Sequence, residues 1–204
     1  MGDITIRSIK ILKEVDFIYT ETKNKAIILL NYYNIKKPIY TFNIINEYKI
    51  LPKIIDKLNN KKTIALISNA GTPCISDPGY ILIEKCLNKS IDFEVLPGPT
   101  ALIPAIIQSG FPCHNFIFEG YCNIKKVKTI IYEKRTVIFY VSPHKLIKTL
   151  TLLIKYLGSE RKCSISREIS KLYEEHYRGT LIECLNYFNK KNIKGEFVVL
   201  IKGL

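Results

Sequence analysis

The chain has 204 residues, 47% of them hydrophobic, and a formal net charge of +13. That length allows one large domain or two small ones with modest cores. No apolar run is long enough to span a bilayer, and Asp3 and Arg7 interrupt any signal-peptide pattern, which together predict a cytosolic protein with no membrane partner.

Strand-like and helix-like runs alternate almost throughout, which predicts an α/β fold. Asp3 is placed to cap a first helix carrying Ile6, Ile9, Leu12 and Val15 on one face. A strand is expected over 17–19, a helix over 27–33 and a strand over 39–42. Ile50, Leu51, Ile54, Ile55 and Leu58 then make the stripe of a helix packed on a sheet. A buried strand over 63–67 follows, then a helix through Ile83 and Leu87, a strand over 93–96, and a helix over 99–108. Residues 109–115, Ser-Gly-Phe-Pro-Cys-His-Asn, break the pattern and predict a linker between domains at 1–110 and 116–204. In the second half, strands are expected over 136–140, 163–166, 173–178 and 197–201. A helix over 143–157 is stopped by Gly158, and Gly179-Thr180 caps another that runs to about Lys190.

Two loops stand out. Residues 68–79, Ser-Asn-Ala-Gly-Thr-Pro-Cys-Ile-Ser-Asp-Pro-Gly, follow the strand over 63–67. Leu96-Pro97-Gly98-Pro99-Thr100 follow the strand over 93–96. Such Gly/Pro-rich stretches are neither helix nor ladder. They sit at the carboxyl ends of strands, where open α/β sheets bind ligands. An ordinary strand-to-helix turn, with Asp77 capping a helix begun by Pro78, is the competing reading of the first loop. Two such loops can face one crevice.

The six Cys include no Cys-x-x-Cys pair, and Cys113-His114 have no ligand partners at metal-site spacing. No metal is expected, and the thiols are expected reduced. The charge favours a polyanionic partner. Ile, Lys, Asn and Tyr are all abundant, as in a genome drifting toward A and T, so the charge supports an RNA partner without establishing one.

With both loops placed, the chain resembles the tetrapyrrole-methylase superfamily of S-adenosylmethionine-dependent methyltransferases. Within it, the chain resembles the branch that methylates the ribose 2′-hydroxyl of a cytidine in small-subunit ribosomal RNA. The resemblance runs nearly end to end. It rests on Asp3-Ile4-Thr5 with Leu12-Lys13-Glu14-Val15-Asp16, on the two loops, and on Ser109-Gly110-Phe111-Pro112 with Phe118-Glu119-Gly120-Tyr121. Four further segments match: 138–144, 166–171, Arg178-Gly179-Thr180 and Lys194-Gly195-Glu196.

The resemblance implies two α/β domains with S-adenosyl-L-methionine in the cleft between them, and a homodimer acting on small-subunit rRNA or the assembled subunit. By position, Asn69, Ala70, Gly71 and Thr72 of the first loop and Thr100 and Ala101 of the second would contact the cofactor. Phe139, Tyr140, Ser166, Gly195 and Glu196 would do so from the second domain. A ribose hydroxyl is a poor nucleophile that a carboxylate assists by taking its proton. Glu119 and Glu168 are the candidates, with a cap or an ion pair as the competing role for each, and His144 suits a positioning role. Two alternatives to the rRNA enzyme are a non-catalytic RNA-binding protein and a methyltransferase with a small tetrapyrrole-like acceptor.

The departures are informative. Asn69 stands where the family has an acid in its first glycine loop, and Asp at that position is expected to retain or strengthen cofactor binding. Glu21-Thr22-Lys23-Asn24 lacks the Asp and Arg of the matching family segment, and Val141 replaces a usual Glu. Family members run a strand ending in Thr-Pro-Ile-Gly-Asn into the first helix, where this chain has Met1-Gly2-Asp3. The expectation is therefore a sheet without its first strand and a genuine start upstream.

Overall fold

The computed structural model describes all residues 1–204, which divide into two units, Met1–Thr100 and Ala101–Leu204. Both are α/β, as the alternation predicts.

In the first unit, α1 (Ile6–Glu14), β1 (Phe17–Thr20), α2 (Lys23–Tyr32), β2 (Ile39–Thr41), α3 (Glu47–Asn59), β3 (Ile64–Ile67) and α4 (Tyr80–Asn88) follow one another. The sheet is all parallel in the order β2-β1-β3, with Tyr19 opposite both Tyr40 and Leu66. Parallel neighbours need crossovers, which α2 and α3 supply. Successive β1 side chains enter opposite layers. Ile18 joins Leu12, Val15, Ala26 and Leu30, whereas Tyr19 joins Phe42, Ile54, Ile55 and Leu82.

Local chemistry shifts two helix starts. Thr5, not Asp3, caps α1, its Oγ1 accepting the Ser8 N–H at 3.0 Å, and Ile6 is left 87% exposed. Gly79, at φ +138°, is the N-cap of α4, so Asp77 and Pro78 lie in the loop before the helix.

The strand expected over 93–96 is absent. Residues 91–96 make no ladder, and Phe93 and Val95 are exposed. β3 pairs with β1 alone, and all four of its residues are half-buried, whereas Ile18, Tyr19 and Thr20 of central β1 are buried. An extended segment becomes a strand only where its N–H and C=O groups meet a neighbour's, and the free edge of β3 is not engaged by 91–96. An ion pair between Arg7 and Glu94 ties that segment to α1.

The second unit contains α5 (Leu102–Ser109), β4 (Phe116–Tyr121), α6 (Ile124–Thr129), β5 (Thr136–Val141), a 3-10 turn (Pro143–Lys145), α7 (Leu146–Leu157), β6 (Lys162–Arg167), β7 (Glu175–Thr180), α8 (Leu181–Asn189) and β8 (Phe197–Ile201). The sheet order is β4-β5-β8-β6-β7, parallel between β4 and β5 and antiparallel elsewhere. A reciprocal capping box starts α8: Thr180 Oγ1 accepts the Glu183 N–H, and Glu183 accepts the Thr180 N–H. Phe139, Val141, Ile165, Val199 and Ile201 pack toward α6, α7 and α8. Ile138, Val198 and Leu200 face the other way, onto Leu102, Ala105 and Ile106 of α5. That packing puts α5 in the second unit, so the division falls before this helix and not at the linker over 109–115.

Candidate active site

In the first unit, the strand ends and their loops converge. Asn69, just past β3, donates from Nδ2 to Glu21 Oε2, just past β1, at 2.5 Å. A carboxylate only accepts, so this bond assigns the amide nitrogen to Glu21 and turns Oδ1 the other way. Asn69 Oδ1 is buried with no hydrogen-bond partner, as is Thr20 Oγ1 at the end of β1. Orphaned buried acceptors are costly, so each calls for a donor from outside the chain, a ligand or a water; Ser164 Oγ of β6 is a third such atom, away from these loops.

The loop itself is braced. Ser68 Oγ donates to the carbonyls of Ala70 at 3.1 Å and Gly71 at 2.8 Å. Thr72 Oγ1 donates to the Pro99 carbonyl at 3.1 Å, so the two Gly/Pro loops meet as the sequence suggests. Gly71 has φ +77°, and a Cβ there would come within 3.0 Å of Pro99 O, which leaves no room for a branched side chain. Cys74 and Ser76 also have positive φ, strain of the kind that collects in ligand loops. The Cys74 thiol is pushed up by burial and then by the Asp77 charge, so it is no ready thiolate. Ala70 and Gly71 are exposed, and Thr100 is half-buried.

In the second unit the candidates separate by face. Ala101 and Tyr140 pack with Phe118 and Ile169 on the α5 side, and Ala101 is the N-cap position of α5. Phe139 lies on the opposite face, fully buried in the core with α7 and α8, so its side chain is excluded from ligand contact. Ser166 is also fully buried, its Oγ 2.9 Å from His176 Nδ1, while Nε2 of that ring meets Glu174 at 2.7 Å.

Glu168 and the Gly195-Glu196 turn form a clasp. The Glu168 N–H donates to Glu196 O at 2.9 Å, and the Glu196 N–H donates back to Glu168 Oε1 at 2.8 Å. Lys171 Nζ bridges both carboxylates, at 3.0 and 2.8 Å. A Cβ on Gly195 would lie 2.5 Å from Glu168 Cγ, so the close approach requires glycine there. Burial pushes the Glu168 carboxyl up, but the Lys171 and Glu196 hydrogen bonds outweigh it and hold it below its ordinary value.

Glu119 is built differently. Phe118 stands opposite Ile138 and Tyr121 opposite Tyr140, so Glu119 and Gly120 together face the single residue Phe139. Gly120, at φ +64°, makes the bulge possible, and such bulges re-aim side chains beside active sites. The Lys126 ammonium is spent on the Glu119 main-chain carbonyl, not on its carboxylate. His144 is exposed in the 3-10 turn before α7.

From sequence, Glu21 is the acid kept in a segment that lacks the family's Asp and Arg, and it is not among the expected site residues. Its place at the carboxyl end of a parallel strand, beside a glycine loop, was the signal that could have identified it.

A family model described as tetrapyrrole (corrin/porphyrin) methylases matches residues 1–184. A protein of Thermotoga maritima named ribosomal RNA small subunit methyltransferase I is 41% identical, over all of this chain and 93% of that protein. One of the same name from Synechocystis is 38% identical, over all of this chain and 75% of its own length. A crystal structure of a cobalt precorrin-4 methyltransferase aligns with a TM-score of 0.73 over 98% of this chain and 89% of its own, at 14% identity, which speaks to the fold alone.

Proposed function

We propose that this chain, which belongs to the tetrapyrrole (corrin/porphyrin) methylase family, is an S-adenosylmethionine-dependent 2′-O-methyltransferase for a cytidine of small-subunit ribosomal RNA. The observation that carries the substrate is the 41% identity, end to end, with a relative of that name. The 14% identity to the precorrin enzyme supports no tetrapyrrole acceptor.

The first unit's donor set fits the cofactor. Asn69 Oδ1 is a buried acceptor without a donor, suited to a cofactor hydroxyl or amino group, and the Glu21 carboxylate beside it balances a cationic ligand. Gly71 keeps the loop open where a side chain would close it. S-adenosylmethionine supplies an electrophilic sulfonium methyl group. The protein's task is then to align the acceptor oxygen and exclude water. Glu119, whose carboxylate is not taken by Lys126, is the better of the two candidates to receive the hydroxyl proton. The Glu168 carboxylate is committed to Lys171 and the Glu196 N–H, which suits holding the 195–196 turn.

The homodimer is part of the same proposal and is tested by sedimentation. No helix is long and apolar enough to cross a membrane. The decisive experiment maps ribose methylation after incubating S-adenosylmethionine and the protein with intact small subunits and, separately, with naked rRNA. A newly protected cytidine ribose is expected. Cofactor binding without methylation of either substrate would retire the rRNA reading in favour of a non-catalytic RNA-binding protein.

A further inference from the structure

Residues 120–159 hold eight Lys and Arg and a single acidic residue, Glu133, so more than half of the net charge of +13 lies in a fifth of the chain. Drift toward Lys raises the total charge, but it does not strip one segment of acids. The structure folds this segment into α6, β5 and α7, with Val127, Ile130, Leu146, Leu150 and Leu153 in the core. The charges are therefore left outside. Glu133 is consumed by Arg135, through bonds of 2.8 and 3.0 Å. Lys125, Lys128, Lys145, Lys148 and Lys155 are exposed and make no ion pair. Elsewhere lysines meet carboxylates, as Lys62 does Asp16 and Lys171 does Glu168 and Glu196.

We propose that the outer face of α6 and α7 is a docking surface for the phosphodiester backbone of RNA. Lys148 and Lys155, two helical turns apart, lie on one face of α7 with Thr151 between them. Their separation along the axis is about 10 Å, against one phosphate per about 3.4 Å on each strand of a duplex. The stripe therefore spans about three phosphates. Lys128 of α6 and Lys155 of α7 converge on the Tyr156 ring, their ammonium groups 5.8 and 5.9 Å from its centroid. Cations gathered without a carboxylate repel one another, and a polyanion relieves that repulsion. Phosphate contacts position a nucleic acid without reading its sequence, so this surface would hold the RNA while other residues choose the nucleotide. The inference rests on the rRNA reading above for the identity of the RNA, but not for the existence of the surface.

The test compares Lys148→Glu/Lys155→Glu with Lys36→Glu/Lys53→Glu, an equal charge change at exposed sites of the first unit. Binding of a fluorescently labelled small-subunit rRNA transcript is followed across roughly 50 to 200 mM salt. The α7 pair is expected to lose at least about tenfold in affinity and to flatten the log–log salt slope by about 1.5, with S-adenosylmethionine calorimetry unchanged. The control pair is expected to lose less than about threefold. Equal losses from the two pairs, or no loss from the α7 pair, would overturn the proposal. Should circular dichroism show the Glu pair misfolded, Lys148→Gln/Lys155→Gln is judged by the same criteria. If RNA binding depends on α7 while no RNA is methylated, the enzymatic reading fails and this one stands.

Discussion

The side-chain amide of Asn69 is bonded to the carboxylate of Glu21 at 2.5 Å, joining the ends of β3 and β1 across 48 residues of sequence. The Glu21 carboxylate therefore stands against the first glycine loop, one strand away. Asn69→Asp, which from sequence should preserve binding, would instead set two carboxylates against each other and remove the donor. Such a pair raises one carboxyl pKa, and the repulsion relaxes on protonation. S-adenosylmethionine affinity is expected to fall about tenfold at neutral pH, about 1.4 kcal/mol, to recover toward pH 5, and to be rescued by adding Glu21→Gln. Calorimetry of the single and double variants decides. Unchanged affinity in Asn69→Asp alone would remove the pair from the site.

Glu119 and Glu168 should respond in opposite ways. Glu119→Gln removes a carboxylate with no structural bond of its own, so kcat is expected to drop about 10²- to 10⁴-fold with melting temperature and cofactor affinity unchanged. Glu168→Gln breaks the clasp on the Gly195-Glu196 turn. Its expected signature is a loss of about 1–3 kcal/mol in stability with any activity change following from it. The reverse pattern would exchange the two roles.

Acid should loosen the second unit first. Side-chain hydrogen bonds from Arg135 pull the Glu133 carboxyl down to about 2. In Glu175, burial pushes the pKa up, but hydrogen bonds from Lys191 and Tyr187 outweigh it and lower it. Main-chain bonding from Thr180 lowers Glu183. A carboxyl held below its unfolded pKa of about 4.3 stabilises the fold above that value. The contribution is lost as pH falls through the folded pKa. The urea midpoint is expected to be flat from about pH 7 to 5 and to fall between about pH 4.5 and 2, with Glu133→Gln shrinking the drop. A midpoint that falls already above pH 5 would mean another group controls it.

The free edge of β3 is a place for one more strand. Joining a short apolar strand-forming segment and a loop ahead of Gly2 should pair with that edge and cover β3. A gain of about 2 kcal/mol from the added ladder and burial corresponds to a rise of roughly 4–8 °C in Tm. Amide exchange of Ile64–Ile67 should slow in parallel. No change in either measurement would show that the edge is not a pairing site.

Periodicity and turn chemistry were enough to read the α/β class, most strands, and the Gly/Pro loops from the residues alone, because local sterics and one-sided burial decide those features. The capping box at Thr180 and the stop at Gly158 were legible for the same reason. What depended on distant partners was not. Residues 93–96 have strand composition and no neighbour to bond. α5 has an apolar face, but only Ile138, Val198 and Leu200 decide which sheet it covers. Phe139 and Tyr140 are adjacent in sequence and face opposite layers, so one is core and the other is not. The Asn69–Glu21 pair, the unpartnered Asn69 Oδ1 and the Glu168 clasp all arise where chain ends of different elements meet. The sequence alone determined which segments could bind a ligand. Tertiary structure decided which polar atoms were left with an unmet bond, because that depends on every other group within reach.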